Sequence, residues 1–162
     1  MQYIGKGLRE TYEWRVRRAA QDDADAIALR KATFEKSAAL LPLLEQEGVG
    51  IIAGTDAGFL NSYDYPGQAL HDEIGLYVRY GLTPAQALRT AVINGPRFLG
   101  KLDRYGAIDA GKTADLLVLD ANPLLDIAAT RQIRVVVSRG KVYDRARLDK
   151  MLADTKEWVS SQ

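Results

Sequence analysis

The sequence predicts an α/β fold in which helices come first, one buried-type strand follows, and more helices and a small β unit close the chain. Three observations predict it. Apolar residues recur at helical spacing across residues 22–47. Residues 49–53, Val-Gly-Ile-Ile-Ala, are apolar or small throughout. After Gly100, short apolar runs alternate with glycine-containing turns.

Taken in order, the arginines at 9, 15, 17 and 18 are followed at once by Asp22, Asp23 and Asp25. They predict a solvated helix face, the alternative being a phosphate-binding patch. In residues 22–47, Phe34, Ala38, Leu41 and Leu44 form a stripe expected to face a core. Pro42 lacks a backbone donor and predicts a kink or a break into two helices, and Gly48 reads as the stop. Residues 49–53 fit a strand buried on both faces of a parallel sheet. The Asn, Asp, Pro and Gly of residues 59–68 predict irregular structure.

A helix over residues 70–80 is stopped by Gly81. The next carries a full start signal: Thr83 as N-cap, Pro84 at the first helical position and Gln86 completing a capping box. Leu88, Ala91 and Val92 are its expected buried face, and Asn94-Gly95-Pro96 its expected end. Leu116–Leu119 and residues 133–137 read as strands, and Leu148, Met151 and Leu152 predict a final helix. The texture divides the chain into residues 1–100, 101–145 and 146–162.

Composition narrows the function classes. With 22 basic and 21 acidic residues the net charge is +1, too little field to gather nucleic acid or an anionic bilayer. The chain has no cysteine, which excludes disulfides and thiolate metal sites. No run approaches the roughly 18 apolar residues of a membrane span, and the start has no apolar signal core, so a cytoplasmic protein is expected. At 162 residues the chain is shorter than the about 250 of a complete barrel of eight strand-helix units.

Asp56 is the leading candidate for chemistry. A carboxylate at the C-terminal end of a buried strand lies where active sites of α/β proteins collect, and Gly54 and Gly58 leave room for a ligand. The competing reading is that Asp56 caps the turn. His71, the single imidazole, is either a capping or packing residue or part of a weak divalent-ion site with Asp72 and Glu73. "GKTADLL" is a β-turn before a strand rather than a phosphate loop, and neither Ser62 nor Ser138 has a histidine at nucleophile-base spacing.

The succession "GVGIIAGTDAG", "PGQALHDEIGLYVRYGLTPAQALRTAVINGPRFLG", "YGAIDAGKTADLLVLDANPLLDI" and "TRQIRVVVSRGKVYDR" resembles the C-terminal part of the amidohydrolase superfamily. It is most similar to the imidazolonepropionase-like and Xaa-Pro or Xaa-Arg dipeptidase-like branch. The resemblance covers about residues 30–150 and implies the last strand and helices of a (β/α)8 metal-dependent hydrolase barrel plus half of a small β-sandwich. It makes residues 49–53 the eighth barrel strand and Asp56 the metal-associated aspartate, and it puts His71 on the substrate-side loop.

In that family a divalent metal, zinc foremost, lowers the pKa of bound water to about 7. The aspartate takes the proton of the attacking water and passes it to the departing amine. The resemblance thus implies hydrolysis of a C–N bond in an amide, dipeptide-like or cyclic amide substrate, with Asp56 as metal-associated general base. The family's His-x-His pair, its carboxylated Lys or Glu and its two further histidines have no counterpart among these residues. The expectation is therefore a C-terminal portion that binds no metal alone. It would pair with the missing N-terminal portion or with copies of itself. The alternative is a truncated, inactive chain that folds by oligomerisation.

Overall fold

The computed structural model describes residues 2–58 and 63–161. It is an α/β chain of seven helices, one 3-10 helix and a three-stranded sheet among the described residues. Helix α1, Lys6–Ala19, exposes Arg15, Arg17 and Arg18, as a solvated face requires, while Arg9 is half-buried. Arg17 pairs with Glu13 at 3.0 Å, and the Arg18 guanidinium lies over the Trp14 ring. The opposite side of α1 carries Tyr12, fully buried; its hydroxyl donates to the Asp64 carbonyl at 3.2 Å, and its ring packs against Tyr63 and Tyr65.

Pro42 does divide the region that follows. Helix α2, Ala24–Ala38, is capped by the Asp23 side chain, which accepts from the Ala26 amide at 2.7 Å, and α3, Leu41–Gln46, holds Pro42 in its first turn. Gly48, at φ 72°, ends α3. The stripe does not face a core. Phe34 is 50% exposed and Leu44 38%, and α2 buries no residue. Helical spacing identifies which residues share a face, but burial needs a covering element, and among the described residues α2 meets Tyr80 through the edge of the Phe34 ring and a Glu35 hydrogen bond.

Residues 49–57 are extended but join no β-ladder among the described residues, which corrects the expected strand at 49–53. A strand is defined by its hydrogen-bonded neighbours, and here the neighbours are helices. Exposure still alternates along the segment: Ile51, Ala53 and Thr55 are partly covered, while Ile52, Gly54 and Asp56 are exposed.

Helices α4, Gln68–Arg79, α5, Pro84–Val92, and α6, Asn94–Phe98, form the packed centre with Ile74, Leu82 and Ala87 buried. Gly81 makes the α4–α5 turn at φ 107°, where a Cβ would meet Pro42 Cγ at 2.8 Å. The capping box at Thr83 is complete: its hydroxyl accepts from the Gln86 amide, and the Gln86 side chain accepts from the Thr83 amide at 2.8 Å. The Arg89–Glu45 ion pair, 3.1 Å, ties α5 to α3.

One expectation for α5 is corrected. Its buried face is Ala87 and Thr90, continued by Asn94, whereas Val92 is exposed. The helix does end ahead of Asn94-Gly95-Pro96, which opens the short α6, where Pro96, near the start of a helix, needs no intrahelical donor.

The sheet is antiparallel in the order β1-β2-β3, with β1 Leu116–Leu119, β2 Ile133–Ser138 and β3 Lys141–Tyr143. Leu116 pairs with Val137, and the register shifts between Val118 and Leu119. Arg139 at φ 50° and Gly140 at φ 77° make the two-residue β2–β3 turn in the left-handed conformation that hairpins favour. "GKTADLL" is indeed a turn into β1, with Gly111 at φ 86°. The 3-10 helix, Ile127–Arg131, packs on α4 through Ala129 and Thr130. The final helix α7, Arg145–Ser160, is capped by Asp144, and Arg145 donates to the Ile133 carbonyl at 2.7 Å.

Candidate functional site

Among the described residues, three hydrogen bonds fasten residues 51–54 of the extended segment to helices α4 to α6. The Asn94 amide group donates to the Ile51 carbonyl at 2.7 Å, the Ala53 amide donates to the Thr90 carbonyl at 3.2 Å, and the Gly54 amide donates to Glu73 Oε1 at 3.0 Å. Beyond this anchored stretch the chain bends. The Ala57 amide donates to the Thr55 hydroxyl at 3.2 Å, and Asp56 takes φ 53°, the left-handed region that Asp tolerates better than most residues. Its carboxylate is on the exposed side of the segment.

Next to this bend lies an open groove of about 400 Å³ whose walls include Gly54, Thr55, Asp64 and, from α4, Asp72 and Glu73. Glu73 Oε1 also accepts the Tyr77 hydroxyl, and Glu73 Oε2 is buried without a hydrogen-bond partner among the described residues. Burial, then the hydrogen bond to Glu73 and its charge, hold the Tyr77 phenol protonated far above its ordinary range. Glu73 entered the sequence reading only as a neighbour of His71. Its signal was the spacing of Ala69, Glu73 and Leu76, which places all three on the groove side of α4.

His71, expected on a substrate-side loop, lies in α4 instead. Its Nδ1 is 3.0 Å from the Thr130 hydroxyl, which itself donates to the Ile127 carbonyl at 2.9 Å. The hydroxyl proton being used, Nδ1 is the donor between them. Burial lowers the His71 pKa, Arg131 lowers it further, and Asp72 opposes both. Thus α4 turns Glu73 toward the Asp56 bend and His71 toward the 3-10 helix. Ser62 lies outside the described residues.

The donors present do not fit a catalytic divalent ion. Among the described residues no group of three or more His, Asp or Glu side chains is arranged to hold a metal, and catalytic zinc normally takes three protein ligands. Asp56 is a single carboxylate, and the sole imidazole is turned to Thr130. No helix among the described residues is long and apolar enough to cross a membrane.

The chain resembles known proteins in sequence and in fold. The description of the amidohydrolase family matches residues 22–143. Imidazolonepropionase from Photorhabdus laumondii subsp. laumondii is 31% identical over 114 residues, 65% of this chain and 27% of that protein. A Xaa-Pro dipeptidase solved with methionine in its active site aligns with TM-score 0.60 and 23% identity, over 85% of this chain and 33% of its own. Bottromycin amidohydrolase aligns with TM-score 0.78 and 22% identity, over 98% of this chain and 34% of its own, a likeness of fold. The chain spans between 9% and 27% of the length of the curated relatives it matches. With three quarters of its residues inside the matched region, the chain belongs to the amidohydrolase family.

Proposed function

We propose that the chain is the C-terminal part of a barrel hydrolase acting on C–N bonds, with residues 49–53 in the place of the last barrel strand and the β1–β3 sheet as half of a small sandwich. The observation that carries the reading is the extended segment itself. It is fastened to helices along one side, exposed on the other, and ends at a carboxylate held in a left-handed bend beside an open groove. In this reading Asp56 takes a proton from the attacking water and returns it to the departing amine. The substrate is an amide, dipeptide-like or cyclic amide. A divalent ion, zinc foremost, belongs to the complete enzyme, where Asp56 would contact it together with ligands outside this chain. The remaining barrel comes from an N-terminal portion of the same enzyme or from further copies, and the assembly works in the cytoplasm.

The test is reconstitution. The chain is co-expressed with an N-terminal amidohydrolase portion that carries the family's histidines, and amide and dipeptide hydrolysis is followed with and without Asp56→Asn. Removing a general base lowers kcat by about 10²–10⁴-fold. Turnover unchanged by the substitution would refute the role given to Asp56.

A second reading is supported by the exposure of Leu29, Phe34, Leu43, Val49 and Ile52 together with the lone carboxylate. Here the chain is catalytically inactive and its apolar faces are covered by copies of itself. Native mass spectrometry with metal analysis separates the two. A defined metal-free oligomer without hydrolase activity supports the second, and chelator-sensitive hydrolysis by the purified chain excludes it.

A further inference from the structure

The Asp56 bend follows directly on the anchored stretch of the segment. Of the three hydrogen bonds that fasten the extended segment, the one at Gly54 is nearest to it, two residues away, and is the only one accepted by a carboxylate. That carboxylate is fixed in turn, because the same Glu73 oxygen accepts the Tyr77 hydroxyl one helical turn further along α4. The second oxygen, Oε2, is buried with no donor among the described residues. Burying a carboxylate oxygen without a partner is costly, and a neutral acceptor would satisfy the Gly54 amide without that cost. That cost falls on the one side chain that joins the Gly54 amide to the Tyr77 hydroxyl.

We propose that Glu73 is the positioning residue for Asp56: its carboxylate, oriented by Tyr77, clamps the Gly54 amide and so sets where the left-handed bend presents the Asp56 side chain. The inference rests on the reading in which Asp56 performs the chemistry, but the clamp is measurable without any reaction. Its value to an enzyme would be geometric, since a displacement of about 1 Å at a reacting group costs on the order of 10²-fold in rate.

The test is solution NMR on the full 162-residue chain and the variants Glu73→Ala, Glu73→Gln and Tyr77→Phe. In Glu73→Ala the Gly54 amide loses its charged acceptor and should exchange at least about tenfold faster. The Asp56 side-chain carboxyl resonance should move with it, while the amide of Ala87 in α5 exchanges within about twofold of the parent, as sites sharing no partner with the clamp do. Glu73→Gln keeps an oxygen for Gly54 and puts an amide group in the place of the partnerless oxygen, so it should restore both signals. Tyr77→Phe should fall between.

A folded Glu73→Ala variant with unchanged Gly54 exchange and an unchanged Asp56 resonance overturns the proposal. So does a Glu73→Gln variant that restores neither. If Glu73→Ala does not fold, the same two signals in Glu73→Gln and Tyr77→Phe decide, with parent-like Gly54 and Asp56 signals in Tyr77→Phe counting against it. A reconstituted enzyme indifferent to Asp56→Asn would sink the hydrolase reading and leave the clamp standing.

Discussion

Replacing Asn94 by alanine should loosen the extended segment from the helices that carry it. Asn94 is 7% exposed, and its side chain bridges two elements: Nδ2 donates to the Ile51 carbonyl at 2.7 Å, and Oδ1 accepts from Arg97 at 3.1 Å. Arg97 is exposed and recovers its partner from water, so that loss is small. The Ile51 carbonyl is partly covered and keeps an unmet acceptor, which costs about 1–3 kcal/mol. Alanine, a better helix former than asparagine, returns roughly 0.5 kcal/mol at the start of α6. The net expectation is a loss of about 1–2 kcal/mol. With a urea slope of about 1–3 kcal/mol per molar, the unfolding midpoint should fall by roughly 0.3–2 M at unchanged slope. Hydrogen exchange locates the effect: Ala53 and Gly54 should lose protection before Ile74 or Ala87. A variant within about 0.3 kcal/mol of the parent would refute the claim that this side chain anchors the segment, since measured additivity errors are about that size.

Three further outcomes are expected. The single imidazole should titrate below its ordinary value of 6.5, because burial and Arg131 disfavour its charged form. Its contribution to stability is present above the unfolded value and is lost as the pH falls through the folded one. An NMR titration midpoint at or above 6.5, or a pH dependence of stability that persists in His71→Asn, contradicts this. Gly81→Ala places a side chain at φ 107° against Pro42 and should cost about 1–3 kcal/mol by strain alone, read as a drop in Tm of several degrees; no drop would mean that the turn adapts freely. Thr83→Ala removes the hydroxyl that accepts the Gln86 amide and should cost about 1 kcal/mol in chemical denaturation, with Thr83→Ser recovering most of it.

The features legible in the sequence are those whose cause is local. The capping box at Thr83, the break at Pro42, the stop at Gly48 and the turn before Leu116 each depend on a few adjacent residues, and each stands in the structure as read. What was not legible depends on neighbours distant in the chain. Residues 49–53 have a strand's composition, yet helices α4 to α6 are what they touch. Phe34 and Leu44 have core spacing and no core above them. The small residues around Asp56 mark a turn in the sequence, and the backbone bends there. The clamp of Glu73 on Gly54 was not legible, because it joins residues 19 apart by a side chain that reads as one more acid on a helix.

Helix α2 buries no side chain, and among the described residues beyond its own turns and cap it meets Tyr80 through Phe34 and Glu35, and Asp22 through Arg30. Fifteen residues are near the shortest length at which a helix persists in water by itself. Mechanically it is a strap between two buckles, Tyr12 seated under the 63–65 turn and Pro42 seated under Gly81. Opening the strap uncovers nothing in the α4–α6 centre. A break or an insertion within it would therefore sever the chain's continuity without unseating the Asp56 bend.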